Sequence, residues 1–392
     1  MNLTKTRIDS IDIFRALTMF FMIFVNDLWT LHGIPGWLEH AKGSEDALGF
    51  ADIIFPAFLF IVGLSIPFAI EARRKKGDSD MKVLLHIGRR ALALIVMGFF
   101  MMNLENTNSH ILPINPEIWQ ILMALAFVLI WNTYPSEKVG KIPVKVLEGL
   151  GILLLVFLAI IYKGGRGDVV HWMRPGWWGI LGIIGWAYLL CALIYLVAGR
   201  KLVWVVVSLL VLLLLNIQEF TPISGLPKIV IVTSAAHHVL VMAGVLASVL
   251  YLKLNEQNKV AWFITGLVIL AVISLVFGFA VRPLWGISKI RATPSWAAIC
   301  SGISYASFAI LYYVADIKGH TNWAGIIRPA GRSTLTTYLV PYFYYAFMDL
   351  SGVRLPEYLR GGAIGLIKTA LFALLIIGIT RLFEKAHIRL KI

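Results

Sequence analysis

The stretch GWLEHAKGSEDALGFADIIFP, from Gly36 to Pro56, gathers the groups in this chain best suited to moving a proton. His40 is the side chain whose unperturbed charge change falls near neutral pH. Glu39, Glu45, Asp46 and Asp52 flank it, and a carboxylate beside an imidazole orients the ring and fixes which nitrogen carries the proton. An imidazole held that way is a general base; one left in an open loop is a solvated residue. Upstream, Asn26 and Asp27 close an apolar run. There they either mark a membrane interface or serve a function, as polar groups inside a membrane helix do by default. Asp52 opens the next apolar run. It either complements a helix dipole, orients His40 or contacts a polar substrate.

These residues need elements that position them, and the chain supplies apolar segments in series. Hydrophobic residues make up 59% and charged residues 14%, with a mean hydropathy of +0.81, far from a soluble globular domain. Repeated runs of about twenty apolar residues predict an all-α, polytopic integral membrane helical bundle, and no strand alternation suggests a barrel. The predicted helices span approximately 11–31, 49–72, 83–104, 117–134, 143–162, 176–197, 201–217, 235–253, 260–280, 295–315, 333–350 and 362–383. That is about 12 transmembrane helices, with 10–12 as the range, in a single domain covering 1–392. The second helix carries Pro56 and Gly63, suited to a kink or a close helix contact that opens space for a ligand.

The formal net charge is +14. No soluble basic domain exists to bind nucleic acid, so positive-inside topology accounts for it. With the N-terminus in the cytoplasm, 24 basic residues fall on the cytoplasmic side and 10 on the other. Both termini are then cytoplasmic, and Gly36–Pro56 lies on the outer face. Cys191 and Cys300 both fall within predicted helices, which argues against a disulfide framework. No cleavable signal peptide is visible, and the first helix is expected to be an uncleaved anchor. The multi-pass chain is therefore expected in the cell's inner (cytoplasmic) membrane.

SIDIFRALTMFFMIFVN followed by LEHAKGSEDALGFADIIFPAFLFIVGLSI resembles the start of the heparan-α-glucosaminide N-acetyltransferase family of transmembrane acyltransferases. The family pattern is a VDxFRG-like helix ending in VN, an outer-loop His, and a (T/A)DLxFPxFxFIxG helix. LLHIGRRALALIVMGFF resembles its double-arginine helix. GISKIRATPSW stands where the family has an NK-containing outer loop, and DIKGHTNWAGIIRPAGRSTLTTYLV resembles its DxKG and PGxNSxxxY region. The chain looks like a bacterial-type homologue without the luminal N-terminal domain.

The resemblance implies that acetyl-CoA from the cytosol donates an acetyl group to an amino sugar or other glycan on the far side. His40 matches the family's catalytic outer-loop His, and Asn26 matches the Asn beside the active centre; Asp52 supports them. His40 would deprotonate the acceptor or carry the acetyl group briefly, with direct transfer in a ternary complex favoured. Asn26 would polarise the thioester carbonyl. A homodimer is also implied. The chain departs from the family in the longer segment between His40 and Asp52, in EIWQILM, which keeps Gln120 of a GVLQR motif but loses its Arg, and in VTSAAHHVLVMAG, which replaces a GLLGT-like helix. Additional membrane helices near 176–217 replace a large outer loop.

CoA carries a 3′-phosphate and a pyrophosphate, so its docking mouth should be basic. Arg73 and Arg74 lie in a cytoplasmic loop that topology alone also explains. Arg89 and Arg90 lie inside a helix start, where a charge needs a partner, and Arg328 and Arg332 would complete the mouth. On the outer side, Lys289, Arg291 and Trp296 suit a sugar with sulfate or carboxylate groups, or an aromatic belt with snorkelling cations. Asp27, Glu39 and Gln120 join them as candidate acceptor contacts, and Glu105 falls in another outer loop. His237 and His238 point about 100° apart on a helix and make no chelating pair, so no metal is expected. A secondary transporter of sugars or organic anions is the competing reading, and a non-catalytic scaffold a third.

Overall fold

The computed structural model describes residues 8–136, 138–139, 142–165, 169–222, 229–257 and 259–392. Of the basic residues used for orientation, Lys5, Arg7, Lys141, Arg166 and Lys228 lie outside them, as does the side chain of Lys138.

The described chain is a helical bundle: α1 (Asp9–Asp27), α2 (Ala51–Lys75), α3 (Asp80–Leu104), α4 (Pro116–Trp131), α5 (Val144–Ile161), α6 (Gly179–Ala198), α7 (Leu202–Phe220), α8 (Ala235–Glu256), α9 (Val260–Ala280), α10 (Arg282–Trp285), α11 (Pro294–Tyr312), α12 (Arg328–Arg332), α13 (Thr334–Ser351) and α14 (Gly362–Lys385). Each of the twelve expected segments is helical; α10 and α12 are short additions before α11 and α13. The only strands among the described residues are Lys138–Val139 and Ile142–Pro143, paired as a small hairpin before α5.

Among the described residues, nine helices are long and apolar enough to cross a membrane. Helices α1, α4 and α13 fall outside that group. The first is punctuated by Asp9, Asp12, Arg15 and Asp27. The second has 16 residues. The third is rich in threonine and tyrosine. Helices α5, α7 and α9 are the most exposed of the nine, as lipid-facing helices should be, whereas α8 is buried along most of its length.

Backbone-to-backbone contact at glycine sets the closest crossings. A Cβ at Gly63 would come within 1.8 Å of Val241 O, and one at Gly244 within 1.9 Å of Phe60 O, so α2 and α8 touch only because both lack side chains there. Gly98 does the same for α3 against α6, where a Cβ would sit 2.1 Å from Gly182 N. Close approach of α2 is thus a matter of Gly63.

The end of α11 winds into a π-helical turn, Tyr313–Ile317. This turn aims Asp316 at the start of α1, where its carboxylate accepts from the Asp9 N–H (2.8 Å) and the Ser10 N–H (3.0 Å). Two of the orphan donors of α1 are satisfied this way by a distant segment. The DIKG stretch therefore anchors the helix that carries Arg15 and Asn26.

Candidate functional site

Asp52 is 1% exposed at the start of α2 and accepts three hydrogen bonds. His40 Nδ1 lies 2.7 Å from Oδ1, while the N–H groups of Ala41 and Gly49 donate to Oδ2 at 3.0 and 3.1 Å. A carboxylate only accepts, so Nδ1 carries the proton, and in the neutral ring Nε2 keeps its lone pair. The segment between His40 and Asp52, long by the family pattern, is a loop pinned on one carboxylate at both its ends. Gly49 is required for this closure, since a Cβ there would lie 1.8 Å from Glu39 O. The buried Trp296 donates its indole N–H to the Asp52 carbonyl at 3.2 Å and supports the pair from beneath.

A second loop, between α10 and α11, meets this one. Asp46 accepts from Ile287 N–H (2.6 Å) and from Arg282 Nε (2.9 Å), and Ala47 N–H donates to Ile287 O. The Ile287 N–H, opposed by partial burial and aided by Arg282, holds the Asp46 carboxyl below its usual range. The join brings Lys289 Nζ to 3.2 Å from His40 Nδ1 and 3.5 Å from Nε2. A donor on the lone-pair axis of one ring nitrogen would sit much farther from the other, so Lys289 leaves Nε2 open. Burial lowers the Lys289 ammonium from the ordinary lysine value, with the Asp52 carboxylate and Cys300 acting in the opposite sense. Arg291 turns away and donates to the Trp285 carbonyl. Glu39 is exposed, and its carbonyl borders Gly49.

Two cavities lie along the axis of the bundle. The first, about 330 Å³, is bordered by Arg15, Arg90, Arg332, Arg389 and Lys391, with Met19, Met22, Phe58 and Leu94 deeper in. The second, about 390 Å³, is bordered by Asn26, Glu105, Gln120, Trp29, Tyr342 and Asp349. Position along each helix orders them. On α1 the first takes Arg15 to Met22 and the second takes Ile23 and Asn26; on α13 the first takes Thr334 and Leu335 and the second Pro341 to Asp349. The cavities thus open toward opposite ends, and Ile180 and Tyr338 border both. The three helices too polar or too short for the spanning group, α1, α4 and α13, supply most of the second cavity.

The expected site residues separate into distinct groups. His40, Asp52, Lys289 and Trp296 form one cluster. Asn26 and Gln120 share the second cavity, whose lining does not include His40; the Gln120 amide also donates to Tyr342 O at 2.6 Å. Asp27 is 2% exposed and turns elsewhere, accepting from Tyr345 Oη, Lys368 Nζ and Thr369 Oγ1, each at 2.7 Å. Arg90 and Arg332 border the first cavity, with the Arg90 guanidinium 4.8 Å from the centroid of the Tyr188 ring. Arg89 is exposed and Arg328 half-buried, and neither borders it. Arg73 pairs with Asp78 at 2.9 Å, and Arg74 with Asp80 at 3.0 Å and with Leu196 O. Those two arginines are held by this chain's own acceptors.

Sequence reasoning did not assign Arg15, Arg389, Lys391 or Tyr338 to a site. Arg15 carried a signal, being a charge inside an apolar helix; its guanidinium donates to Ser65 Oγ at 2.8 Å and pairs with Asp12. Arg389 and Lys391 reach the first cavity because the segment after α14 folds back. Arg389 N–H donates to Asn132 Oδ1, Leu390 N–H to Thr336 Oγ1 and Lys391 N–H to Trp131 O. Glu105, just past α3, opens into the second cavity, and burial raises its carboxyl above the usual range. His237 and His238 are buried in α8, and among the described residues no group of three His, Cys, Asp or Glu side chains is arranged to hold a metal.

The family described as "Domain of unknown function (DUF5009)" matches residues 7–223. The protein named heparan-alpha-glucosaminide N-acetyltransferase from Homo sapiens is 35% identical over 97 residues, 25% of this chain and 14% of that protein. Its counterpart from Mus musculus is 32% identical over 100 residues, 26% of this chain and 14% of that protein. The similarity therefore covers about a seventh of either curated relative.

Proposed function

The chain belongs to the DUF5009 family, and we propose that it is a membrane-embedded acetyl-CoA-dependent acyltransferase acting on a sugar-like acceptor. The observation that carries this reading is the His40–Asp52 pair. A buried carboxylate holds a half-exposed imidazole in one tautomer with Nε2 free, as a general base requires.

In this mechanism the donor is acetyl-CoA. Its phosphates lie among Arg90, Arg332, Arg389 and Lys391, which ring the first cavity, and its pantetheine arm runs along Met19, Met22 and Leu94. That cavity lies at the end of the bundle richer in lysine and arginine, the cytoplasmic end by the positive-inside rule, with both termini on that side of the inner membrane. The acceptor comes from the opposite side and bridges the Asn26 cavity and the dyad. Its amine or hydroxyl attacks the thioester carbonyl, and His40 Nε2 takes the proton. The Asn26 amide donates to the oxyanion. Collapse breaks the C–S bond, and the proton passes from His40 to the departing thiolate. Lys289 offers a cation to an anionic group on the acceptor.

Two cavities opening to opposite ends also suit a secondary transporter. Thioester turnover separates the readings. Purified protein given acetyl-CoA and glucosamine should release free CoA thiol only when the acceptor is present. His40→Ala should abolish release while acetyl-CoA still binds. No release across a panel of amines and sugar hydroxyls, with labelled sugar crossing sealed vesicles unmodified, would establish transport instead.

A further inference from the structure

Tyr338 and Ile180 border both cavities and form the wall they share. Ile180 is the second residue of α6, close to Gly179 and Gly182, which pack on Gly98 of α3, so this part of the wall is held by backbone contact. Tyr338 lies a little over one turn into α13, and its ring lies beside that of Tyr342, with centroids 6.1 Å apart and planes at 57°. Tyr342 in turn gives its carbonyl to Gln120. Tyr338 therefore borders a basic cavity and, beside Tyr342 and Gln120, the second cavity. A side chain that borders both compartments is the only kind that can touch a donor on one side and an acceptor on the other.

We propose that the Tyr338 ring is the partition across which the acyl group passes, closing the donor cavity to water from the acceptor side until an acceptor is seated. Its acyl-transfer aspect rests on the function proposed above. With the ring in place the thioester carbonyl meets only the acceptor nucleophile: the C–S bond breaks, a C–N or C–O bond forms and the proton goes to the CoA sulfur. With the ring removed, water takes the acceptor's place, and the products are acetate and CoA thiol.

The test has one arm that needs no chemistry from the protein. Val62 borders the donor cavity, so Val62→Cys is a reporter there, against a background of buried Cys191 and Cys300. In sealed vesicles an impermeant thiol reagent should label the reporter only from the Arg332 side. Adding Tyr338→Ala should allow labelling from the His40 side too, at least tenfold faster than before. Tyr338→Phe, which keeps the ring, should restore one-sided labelling. One-sided labelling in the Tyr338→Ala protein overturns the proposal. In the second arm, Tyr338→Ala should raise acceptor-independent CoA release from acetyl-CoA at least tenfold. Two-sided labelling with no thioester chemistry in any variant upholds the partition and overturns the acyltransferase reading instead.

Discussion

Asp52→Asn changes one atom and tests the whole dyad. In the native structure Oδ2 takes the N–H groups of Ala41 and Gly49, and Oδ1 takes His40. An asparagine has one carbonyl oxygen to serve both sides. Two backbone donors hold that oxygen in the Oδ2 position, because reversing the amide would set its NH₂ against two N–H groups at 3.0 and 3.1 Å. The NH₂ then faces His40 Nδ1, which must become an acceptor, and the imidazole proton moves to Nε2. The lone pair that would take the acceptor's proton is gone, although the shape is kept. The same tautomer error in a serine-protease triad costs about 10⁴ in kcat. Loss of general-base catalysis alone is worth about 10²–10⁴. We therefore expect kcat to fall by about 10³–10⁴, or about 4–5.5 kcal/mol in the barrier. The assay is release of CoA thiol at saturating acetyl-CoA and acceptor, with acetyl-CoA binding measured in parallel and unchanged. If Asp52→Asn keeps more than a tenth of the wild-type kcat, the dyad is structural and the base lies elsewhere.

Lys289 sets a pH signature. Burial lowers its value, so the cation beside His40 is lost at a lower pH than from a free lysine, and activity that uses it should fall on the alkaline side. Lys289→Arg keeps its charge and should move that limb to higher pH, while identical limbs in rate–pH profiles would exclude the role. The unfolded chain holds this proton more tightly, so between the lowered value and the ordinary lysine value the Lys289 contribution to stability increases with pH. The Asp27–Lys368 pair is 3% and 16% exposed at its side chains, so Asp27→Ala, which strands the ammonium, should cost about 3–5 kcal/mol. Asp27→Asn with Lys368→Met should recover most of the loss in thermal unfolding; a double variant no more stable than Asp27→Ala would sink the argument.

Helix positions were legible because crossing a bilayer demands a run of apolar residues, and that demand is written locally. Even α6 and α7, which stand where the family pattern has a loop, could be found this way. The proximity of Asp52 to His40 was also within reach, since a carboxylate at a helix start lies near the loop that leads into it. Azimuth was not legible. On α1 the run from Met19 to Val25 is wholly apolar, so nothing in the period says that Asn26 faces Gln120 while its neighbour Asp27 faces Lys368. The charges of the cytoplasmic loops were ambiguous for another reason. Arg73 and Arg74 find Asp78 and Asp80 a few residues away, whereas Arg389 reaches the first cavity through Asn132. Composition cannot tell a neutralised arginine from a waiting one.

The bond between Asp27 and Lys368 ties a helix made near the start of this sequence to one made near its end. On its own, α14 must hold an ammonium within its first two turns, where snorkelling toward the interface keeps the cost below the bilayer-centre figure of about 2.5–3.5 kcal/mol. Relief comes only when α14 docks on α1 and Asp27. During synthesis the first helix waits in the membrane with its carboxylate uncompensated while the intervening helices are inserted. The Asp27–Lys368 bond therefore fastens α14 to a helix that also packs on α2, α11, α12 and α13. Quality control that senses exposed intramembrane charge would read Asp27 and Lys368 as the mark of an unfinished protein.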